Sequence, residues 1–230
     1  MADYLFPPPA VPALPVLGRT ALYPVNRIFC VGRNYAAHAA EMGAEVDREA
    51  PFFFIKSAQA LLAGAVLPYP PGTSELHHEI ELVAAIAAPA FCIAPAAAPG
   101  CVGFYGSGLD MTRRDLQARA KDRRQPWDLG KNFEGAAVLS PLTPAADFTP
   151  AAQGIALRVN GALRQDARLS EMVWPVAELV AHLSQFYHLV PGDLILTGTP
   201  AGVGAVHPGD RLSGGVAGLA PVEVSIGPAA

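Results

Sequence analysis

Two glutamates lie two residues apart in the segment LHHEIELVAA, which spans residues 76–85. The apolar and branched residues around them predict a β-strand, in which side chains at i and i+2 point to the same face. Glu79 and Glu81 would therefore project together, while Ile80 and Leu82 point to the opposite, apolar side. Two carboxylates on one half-buried face repel each other and lose hydration, and a cation between them relieves both costs.

A third carboxylate for such a cation is available in Asp110, within GFYGSGLDMTRRDLQ. Three carboxylates would form an oxygen-rich site of the kind that Mg²⁺, Mn²⁺ or Ca²⁺ prefers. His77 has the same strand parity as the two glutamates, so a zinc-type site with a histidine ligand stays open as an alternative. The all-oxygen site is favoured because it needs no histidine. His78 faces the other way and is interpreted as structural.

A second pair of chemical groups lies in GRNYAAHAAEMG, where His38 and Glu41 are three residues apart on a predicted helix. This spacing places both side chains on one helical face. A glutamate beside a histidine raises the basicity of the imidazole and fixes its tautomer, which is one way to activate a water molecule. A solvated surface pair is the competing interpretation of the same spacing.

Two further segments could contribute to binding an anion. Lys131 lies between Gly130 and the apolar run 133–139, which predicts a partly buried ammonium that would bind a carboxylate or an enolate. The glycine-rich segment TGTPAGVG, residues 197–204, lacks the Lys-Ser/Thr end of a phosphate-binding loop. We interpret it instead as a tight turn whose backbone N–H groups and Thr199 hydroxyl meet a small carboxylate.

The elements that must position these groups are mostly short strands. Asn160-Gly161 between alternating segments predicts a type I′ hairpin, and Thr112 with Asp115 predicts the start of a helix with a capping box. Strands are predicted over residues 27–31, 52–56, 76–85, 155–159, 163–166, 194–197, 211–213 and 222–226, and helices over 34–42, 112–123 and 175–187. Without βαβ alternation or a repeat, the pattern predicts a β-rich α+β domain.

Composition restricts the function classes. The chain has 230 residues and a net charge of −4, which argues against a nucleic-acid surface. It is 51% hydrophobic, yet no apolar stretch approaches the roughly 20 residues that a membrane span needs. Three cysteines without metal-ligand spacing indicate a reducing cytoplasm, and the amino-terminal residues do not resemble a secretory signal. Residues 1–24 are proline-rich and predict an arm that packs on the domain of residues 25–230 or on a neighbouring subunit.

The chain resembles the fumarylacetoacetate hydrolase family, and within it the short single-domain acylpyruvate hydrolases. Six segments carry this resemblance, in order and at family spacing: RIFCVGRNYAAHAAEMG, PFFFIKSAQALL, LHHEIELVAAI, GLDMTRRDLQ, GKNFEG and ILTGTPAGVG. The resemblance implies a mixed β-roll or sandwich of the family's C-terminal type, with a few peripheral helices and a homodimeric assembly. It also implies a divalent metal, Mg²⁺ or Mn²⁺, with Ca²⁺ as a possible substitute.

The resemblance further assigns roles to residues of this chain. It implies metal ligands at Glu79, Glu81 and Asp110, catalytic groups at His38, Glu41 and Lys131, and substrate contacts at Arg33, Arg114, Gln117 and Thr199. The implied activity is hydrolysis of a C–C bond in a 2,4-dioxo acid, with fumarylpyruvate of gentisate catabolism as the favoured substrate.

Three other functions stay open at this point. The same metal and lysine would serve decarboxylation of oxaloacetate or isomerisation of a dioxo acid. Decarboxylation needs no nucleophilic water, so the pair of His38 and Glu41 favours hydrolysis. A non-catalytic module that binds small carboxylates would not need an acid–base pair. The choice of acyl group is expected to depend on residues 43–51 and 89–101.

Overall fold

The computed structural model describes residues 4–41, 43 and 48–229. The strands are β1 (Ala13–Leu14), β2 (Tyr23–Pro24), β3 (Arg27–Gly32), β4 (Phe52–Ser57), β5 (Val66–Tyr69), β6 (Leu76–His78), β7 (Ile80–Ile86), β8 (Val102–Asp110), β9 (Thr112–Arg113), β10 (Ala137–Leu139), β11 (Thr143–Pro144), β12 (Gly154–Val159), β13 (Ala162–Arg168), β14 (Leu194–Leu196), β15 (Gly204–Val206), β16 (Arg211–Val216) and β17 (Val222–Ala229). The α-helices are α1 (Ala36–Glu41), α2 (Arg114–Asp122), α3 (Asp128–Lys131) and α4 (Val176–Ser184), and short 3₁₀ turns cover Ala58–Ala60, Pro95–Gly100 and Leu169–Glu171.

Two sheets dominate the described part of the chain. A seven-stranded sheet has the order β10-β8-β7-β14-β3-β4, with β11 also paired to β8, and a five-stranded sheet has the order β13-β12-β16-β17-β5. Most pairs are antiparallel, but β14 with β3 and β17 with β5 are parallel, so both sheets are mixed. The two sheets pack face to face through β7, β8, β12 and β16. This is the β-rich α+β sandwich that the sequence predicts.

The seven-stranded sheet is buried on both faces except at its edge strand β4, and alternate residues of its inner strands enter different apolar clusters. Phe29 and Leu82 belong to the larger cluster, which lies between the sheets. Their strand neighbours Ile28 and Val83 belong to the second cluster. Period-two alternation explains this division. Strand β7 is buried at every position, so it is more deeply buried than the half-exposed strand that the sequence predicts.

The proline-rich amino-terminal segment covers part of the second cluster. Its strands β1 and β2 form a two-stranded ladder, and Leu14, Val16 and Tyr23 are buried in that cluster. The Tyr23 hydroxyl donates to the carbonyl of Ile86, which ties the segment to the end of β7. These contacts support the predicted packing of the arm on its own domain, and the boundary at residue 24 stays a prediction.

Most predicted elements are present, with ends moved by a few residues. The hairpin at Asn160-Gly161 is confirmed, because the two residues have φ of 52° and 79°, as a type I′ turn requires. The capping box at Thr112 is wrong. Thr112 lies in β9, and α2 begins at Arg114 without a side-chain cap. Residue 42, at the predicted end of the first helix, lies outside the described residues.

The helices of the described ranges include none that is long and apolar enough to cross a membrane.

Candidate metal centre and catalytic cleft

A cluster of three buried carboxylates lies at one end of the seven-stranded sheet. Glu79, Glu81 and Asp110 each offer an oxygen, and these oxygens lie within 4.8 Å of one another. All three residues are at most 5% exposed. The structure thus brings together the three carboxylates that the sequence singles out.

The segment that carries the two glutamates passes from one sheet to another at Glu79. Strand β6 pairs with β9 and β15 in a small three-stranded sheet, whereas β7 pairs with β8 in the seven-stranded sheet. Glu79 itself lies between the two strands, which corrects the expectation of one continuous strand. Its carbonyl still accepts a hydrogen bond of 2.9 Å from the backbone N–H of Asp110, and this contact holds the carboxylate-bearing residues next to each other.

Three cations surround the cluster. Lys131 Nζ donates to Glu79 Oε2 and to Asp110 Oδ2, each at 2.8 Å, and to Thr112 Oγ1 at 2.7 Å. Arg114 forms a short ion pair with Glu79 and donates to Gln117 Oε1 at 2.6 Å. Lys56 Nζ lies 2.8 Å from Asp110 Oδ1, but this contact lacks hydrogen-bond geometry. The buried Oδ1 atom therefore has an ion-pair partner but accepts no hydrogen bond.

The charges are distributed unevenly over the three carboxylates. Burial opposes ionisation of Glu79, but Lys131 and Arg114 outweigh it and lower the pKa of this residue. Burial, together with the charges of Asp110 and Glu79, raises the pKa of Glu81 well above its usual value. Glu81 accepts a backbone hydrogen bond from Gly198 at 2.7 Å and has no salt bridge within the described ranges.

These observations fit a divalent cation. Glu81 has no salt bridge among the described residues, and Asp110 Oδ1 accepts no hydrogen bond. Both offer hard oxygen ligands in a buried setting, where an uncompensated charge is costly. Mg²⁺ and Mn²⁺ prefer such carboxylate oxygens to nitrogen or sulfur ligands. The residues that would hold the ion are Glu79, Glu81 and Asp110.

The two neighbouring histidines are not part of this cluster. His77 lies 3.5 Å from Arg114 Nε, and burial and the charge of Arg114 lower its pKa to about 4. No histidine nitrogen joins the three carboxylates among the described groups, which favours the all-oxygen site over the zinc alternative with His77. His78 is buried and lies 3.0 Å from Gln165 Oε1, which confirms its structural interpretation.

The pair of His38 and Glu41 has the predicted geometry. His38 Nδ1 lies 3.3 Å from Glu41 Oε2, and the side chain of Glu41 is 34% exposed whereas that of His38 is 9% exposed. His38 lines the cleft above the carboxylates, so its other ring nitrogen is the one available to a substrate or a water molecule. Glu41 orients the imidazole from the solvent side.

The glycine-rich segment has two backbone N–H groups that are already occupied, and the predicted contact of Thr199 with a small carboxylate stays a prediction. Its backbone N–H groups bind carboxylates of the protein itself: Gly198 donates to Glu81, and Gly202 donates to both carboxylate oxygens of Glu41 at 3.2 Å. Gly202 has a φ of +94°, and a Cβ there would lie 2.1 Å from the carbonyl oxygen of Arg164. Only glycine fits this close approach.

The remaining predicted site residues line the same cleft. Its free volume is about 40 Å³ beside the carboxylates. The predicted residues that line it are Arg33, His38, Glu79, Glu81, Arg114, Gln117, Lys131 and Thr199. Arg33 adopts a left-handed φ of 59°, an unusual backbone conformation for arginine that is often found at functional sites. Residues 44–47, in the segment expected to select the acyl group, lie outside the described residues.

Two residues of the site escape sequence reasoning. Lys56 is fully buried and reaches Asp110 from the edge strand β4. Its only signal is a lysine at the end of the apolar run PFFFIK. Gln165, also fully buried, hydrogen-bonds to His78 and to Ile80 on either side of Glu79, and its amide nitrogen donates to Thr199 Oγ1 at 2.8 Å. Nothing in the polar segment LRQDAR indicates this burial.

The fold and this carboxylate site define a family. The model for the fumarylacetoacetate (FAA) hydrolase C-terminal domain matches residues 27–226, and the chain belongs to this family. The structure has the fold of that domain, as its neighbours among solved structures show.

Individual relatives are similar over nearly their full length. A fumarylpyruvate hydrolase from a Ralstonia species is 47% identical over 191 residues, which cover 82% of this chain and all of that protein. The crystal structure of fumarylpyruvate hydrolase from Pseudomonas aeruginosa in complex with Mn²⁺ and pyruvate superposes with a TM-score of 0.94 at 45% identity, covering 98% of this chain and 99% of that one. An oxaloacetate tautomerase from Escherichia coli K12 is 40% identical over 194 residues, or 83% of this chain and 88% of that protein.

Proposed function

We propose that this chain is a metal-dependent hydrolase that cleaves the C3–C4 bond of fumarylpyruvate, giving fumarate and pyruvate. The observation that carries the proposal is the placement of a buried carboxylate triad and a His–Glu pair at one cleft. The 47% identical Ralstonia protein and the Pseudomonas structure with Mn²⁺ and pyruvate support the choice of reaction and substrate.

The inner end of the cleft would hold the oxo-acid end of the substrate. Arg114 and Gln117 line it and are already fixed to each other by a hydrogen bond of 2.6 Å. The oxygen of the Thr199 hydroxyl accepts a hydrogen bond from Gln165, so its own hydrogen is free to donate to the substrate carboxylate. A divalent ion held by Glu79, Glu81 and Asp110, Mg²⁺ or Mn²⁺ in this proposal, would supply Lewis-acid stabilisation of the substrate oxygens.

His38 would act as the general base. Glu41 accepts the Nδ1–H of the imidazole, so the Nε2 lone pair can take a proton from the water that attacks the C4 carbonyl. Cleavage of the C3–C4 bond then leaves its electron pair on the pyruvate enolate. Protonation at C3 completes pyruvate, and the oxygen of the water stays with fumarate.

Lys131 would stabilise the enolate as a fixed positive charge. Burial disfavours its ammonium form, but Asp110 and Glu79 outweigh burial and raise the pKa of Lys131. These two carboxylates therefore favour the charged ammonium form of Lys131, which suits an electrostatic role better than the role of a base. Its charge would act on the enolate oxygen from the wall of the cleft, in a buried setting where charge stabilisation is strong.

We further propose a homodimer in a reducing cytoplasm. The cysteines Cys30, Cys92 and Cys101 are all free thiols, which supports the compartment. The edge strand β4 exposes Phe52 and Ile55, and proteins normally cover an apolar sheet edge. Size-exclusion chromatography with light scattering would measure the mass of the protein in solution. A monomer at micromolar concentration would contradict the dimer.

Tautomerisation of oxaloacetate is the second candidate, favoured by the 40% identical Escherichia coli relative. It needs proton transfer but no nucleophilic water, so it leaves the histidine–glutamate pair without its expected role.

The test is pyruvate release, by a coupled assay, from fumarylpyruvate, acetylpyruvate and oxaloacetate, each with EDTA, with Mg²⁺ and with Mn²⁺. We expect metal-dependent cleavage that is fastest on fumarylpyruvate. Tautomerisation of oxaloacetate releases no pyruvate and would be measured separately, as loss of the enol form. If the protein decarboxylated or tautomerised oxaloacetate and cleaved neither acylpyruvate, the hydrolase proposal would be wrong.

A further inference from the structure

We propose that Lys121, assisted by Arg33, binds the second carboxylate at the acyl end of the substrate and selects dicarboxylic acylpyruvates. This inference rests on the proposed function and specifies what the outer part of its site recognises. A fumaryl group ends in a carboxylate, which loses hydration when it enters a cleft and therefore requires a cation at that position.

Helix α2 places three cleft residues in a row. Arg114, Gln117 and Lys121 occupy positions i, i+3 and i+7, so they share one helical face, and all three line the cleft. Arg114 marks the inner end through its ion pair with Glu79. Seven residues at 1.5 Å each separate the Cα atoms of Arg114 and Lys121 by roughly 10 Å along the helix.

This spacing suits a seven-carbon diacid. Six C–C bonds of about 1.5 Å give an extended distance of roughly 7–8 Å between the two carboxyl carbons. Helical side chains lean toward the helix amino terminus, so Lys121 reaches back toward Arg114. The lysine can therefore meet the far carboxylate while Arg114 and Gln117 hold the oxo-acid end.

Neither outer cation, Lys121 or Arg33, forms a salt bridge within the part of the chain that the structure describes. Burial and the charges of Arg114 and Arg33 lower the pKa of Lys121, which shows that cations crowd around it. Two cations that line the same cleft give it a positive potential, which favours binding of an anion there.

Trp127 completes this outer site. Lys121 Nζ lies 5.2 Å from the centroid of the indole ring, within cation–π distance. Trp127 also lines the cleft, and it packs on Phe52 and Phe54 with centroids 5.0 and 5.8 Å away. A rigid aromatic wall of this kind suits the flat, conjugated chain of a fumaryl group.

A neighbouring groove defines the competing location for the acyl group. It has about 500 Å³ of free space, is lined mainly by aromatic side chains including Phe52 and Tyr187, and shares Phe54, Trp127 and Lys131 with the cleft. An acyl chain in this groove would be selected for apolar character, and Lys121 would then be irrelevant to the choice of substrate.

The experiment compares fumarylpyruvate with acetylpyruvate, which keeps the pyruvate end and lacks the far carboxylate. Lys121→Gln removes the charge, Lys121→Arg keeps it, and Arg119→Gln removes the same charge from an exposed position of the same helix. For Lys121→Gln we expect kcat/KM on fumarylpyruvate to fall about 10- to 100-fold, the effect of losing a hydrogen bond to a charged group. Activity on acetylpyruvate should stay within about 3-fold, because its reaction needs no outer cation. Lys121→Arg should recover most of the loss, and Arg119→Gln should resemble wild type.

The outcomes separate the two claims. If wild type cleaves both substrates, and Lys121→Gln lowers kcat/KM equally for both or leaves it unchanged for both, then Lys121 does not bind the far carboxylate and the inference is wrong. Preference of wild type for acetylpyruvate would overturn it as well. If wild type releases pyruvate from neither substrate with Mg²⁺ or Mn²⁺, the proposed function fails and this assignment falls with it.

Discussion

Replacing Glu41 should separate turnover from metal binding. Glu41 touches His38 at 3.3 Å and the backbone of Gly202, and it is not one of the three clustered carboxylates. Loss of its carboxylate removes the group that orients the imidazole. A positioned general base contributes roughly 10²- to 10⁴-fold, and His38 loses its positioning without Glu41, so Glu41→Ala should lower kcat by about 100-fold, or about 2.7 kcal/mol of barrier.

The structure also sets what should not change. Glu41 does not line the cleft, so KM should stay within about 3-fold and the Kd of Mn²⁺ within about 2-fold. Glu41→Ala leaves the Gly202 N–H without its acceptor and should cost about 1 kcal/mol of stability. Glu41→Gln keeps an acceptor oxygen there, and should show the kinetic loss with little destabilisation.

The assay is steady-state pyruvate release with fumarylpyruvate, together with calorimetric titration of Mn²⁺ into the metal-free protein. Glu178→Gln, at an exposed position of helix α4, is the matched control and should behave as wild type. If Glu41→Ala greatly weakened Mn²⁺ binding, and the fraction that still bound Mn²⁺ turned over at the wild-type rate, the assigned role of Glu41 would be refuted.

Three further predictions concern the surroundings of the carboxylates. Lys56→Met removes one of the two lysines that pair with buried Asp110 and should lower the free energy of unfolding by about 3 kcal/mol in denaturant titration. The exposed Arg119→Met should change it by less than about 0.5 kcal/mol, and equal effects would contradict the ion pair. Gln165→Leu removes hydrogen bonds that hold the glutamate segment and the glycine-rich loop, so KM for fumarylpyruvate should rise about 10-fold, and an unchanged KM would argue against a positioning role. The raised pKa of Glu81 means that a divalent ion must displace a proton from it, so the Kd of Mn²⁺ should fall as pH rises, by up to about 10-fold per pH unit while Glu81 is protonated. Calorimetry in two buffers of different ionisation enthalpy would measure that proton, and binding without proton release would contradict the prediction.

Strand parity is enough to predict the glutamate pair. The i, i+2 rule brings Glu79 and Glu81 together even though the chain changes sheet at Glu79, because the backbone contact with Asp110 continues the pairing of β7 and β8 past the break. The distant Asp110 and Lys131 join them through pairing that no local pattern encodes. Only their residue types and the resemblance to a family indicate these two residues in the sequence.

The wrong prediction at Thr112 and the two missed site residues, Lys56 and Gln165, have a common physical cause. Thr112 has the type and position of a helix cap, yet its hydroxyl accepts a hydrogen bond from Lys131 and its backbone pairs with β6. Lys56 and Gln165 look like ordinary residues of edge strands, and only tertiary packing shows that both are fully buried beside the site. Local secondary-structure propensity contains no information about partners that lie tens of residues away in the sequence.

Cleavage of fumarylpyruvate in H₂¹⁸O tests the central claim most directly, because only hydrolysis transfers a water oxygen to the acid product. With Mn²⁺ present, we predict one ¹⁸O atom in each fumarate molecule, fumarate and pyruvate in equal amounts, and no product with EDTA. Fumarate without the label, cleavage that persists in EDTA, or intact fumarylpyruvate alongside rapid tautomerisation of oxaloacetate would contradict the assignment of this site as a metal-dependent C–C hydrolase.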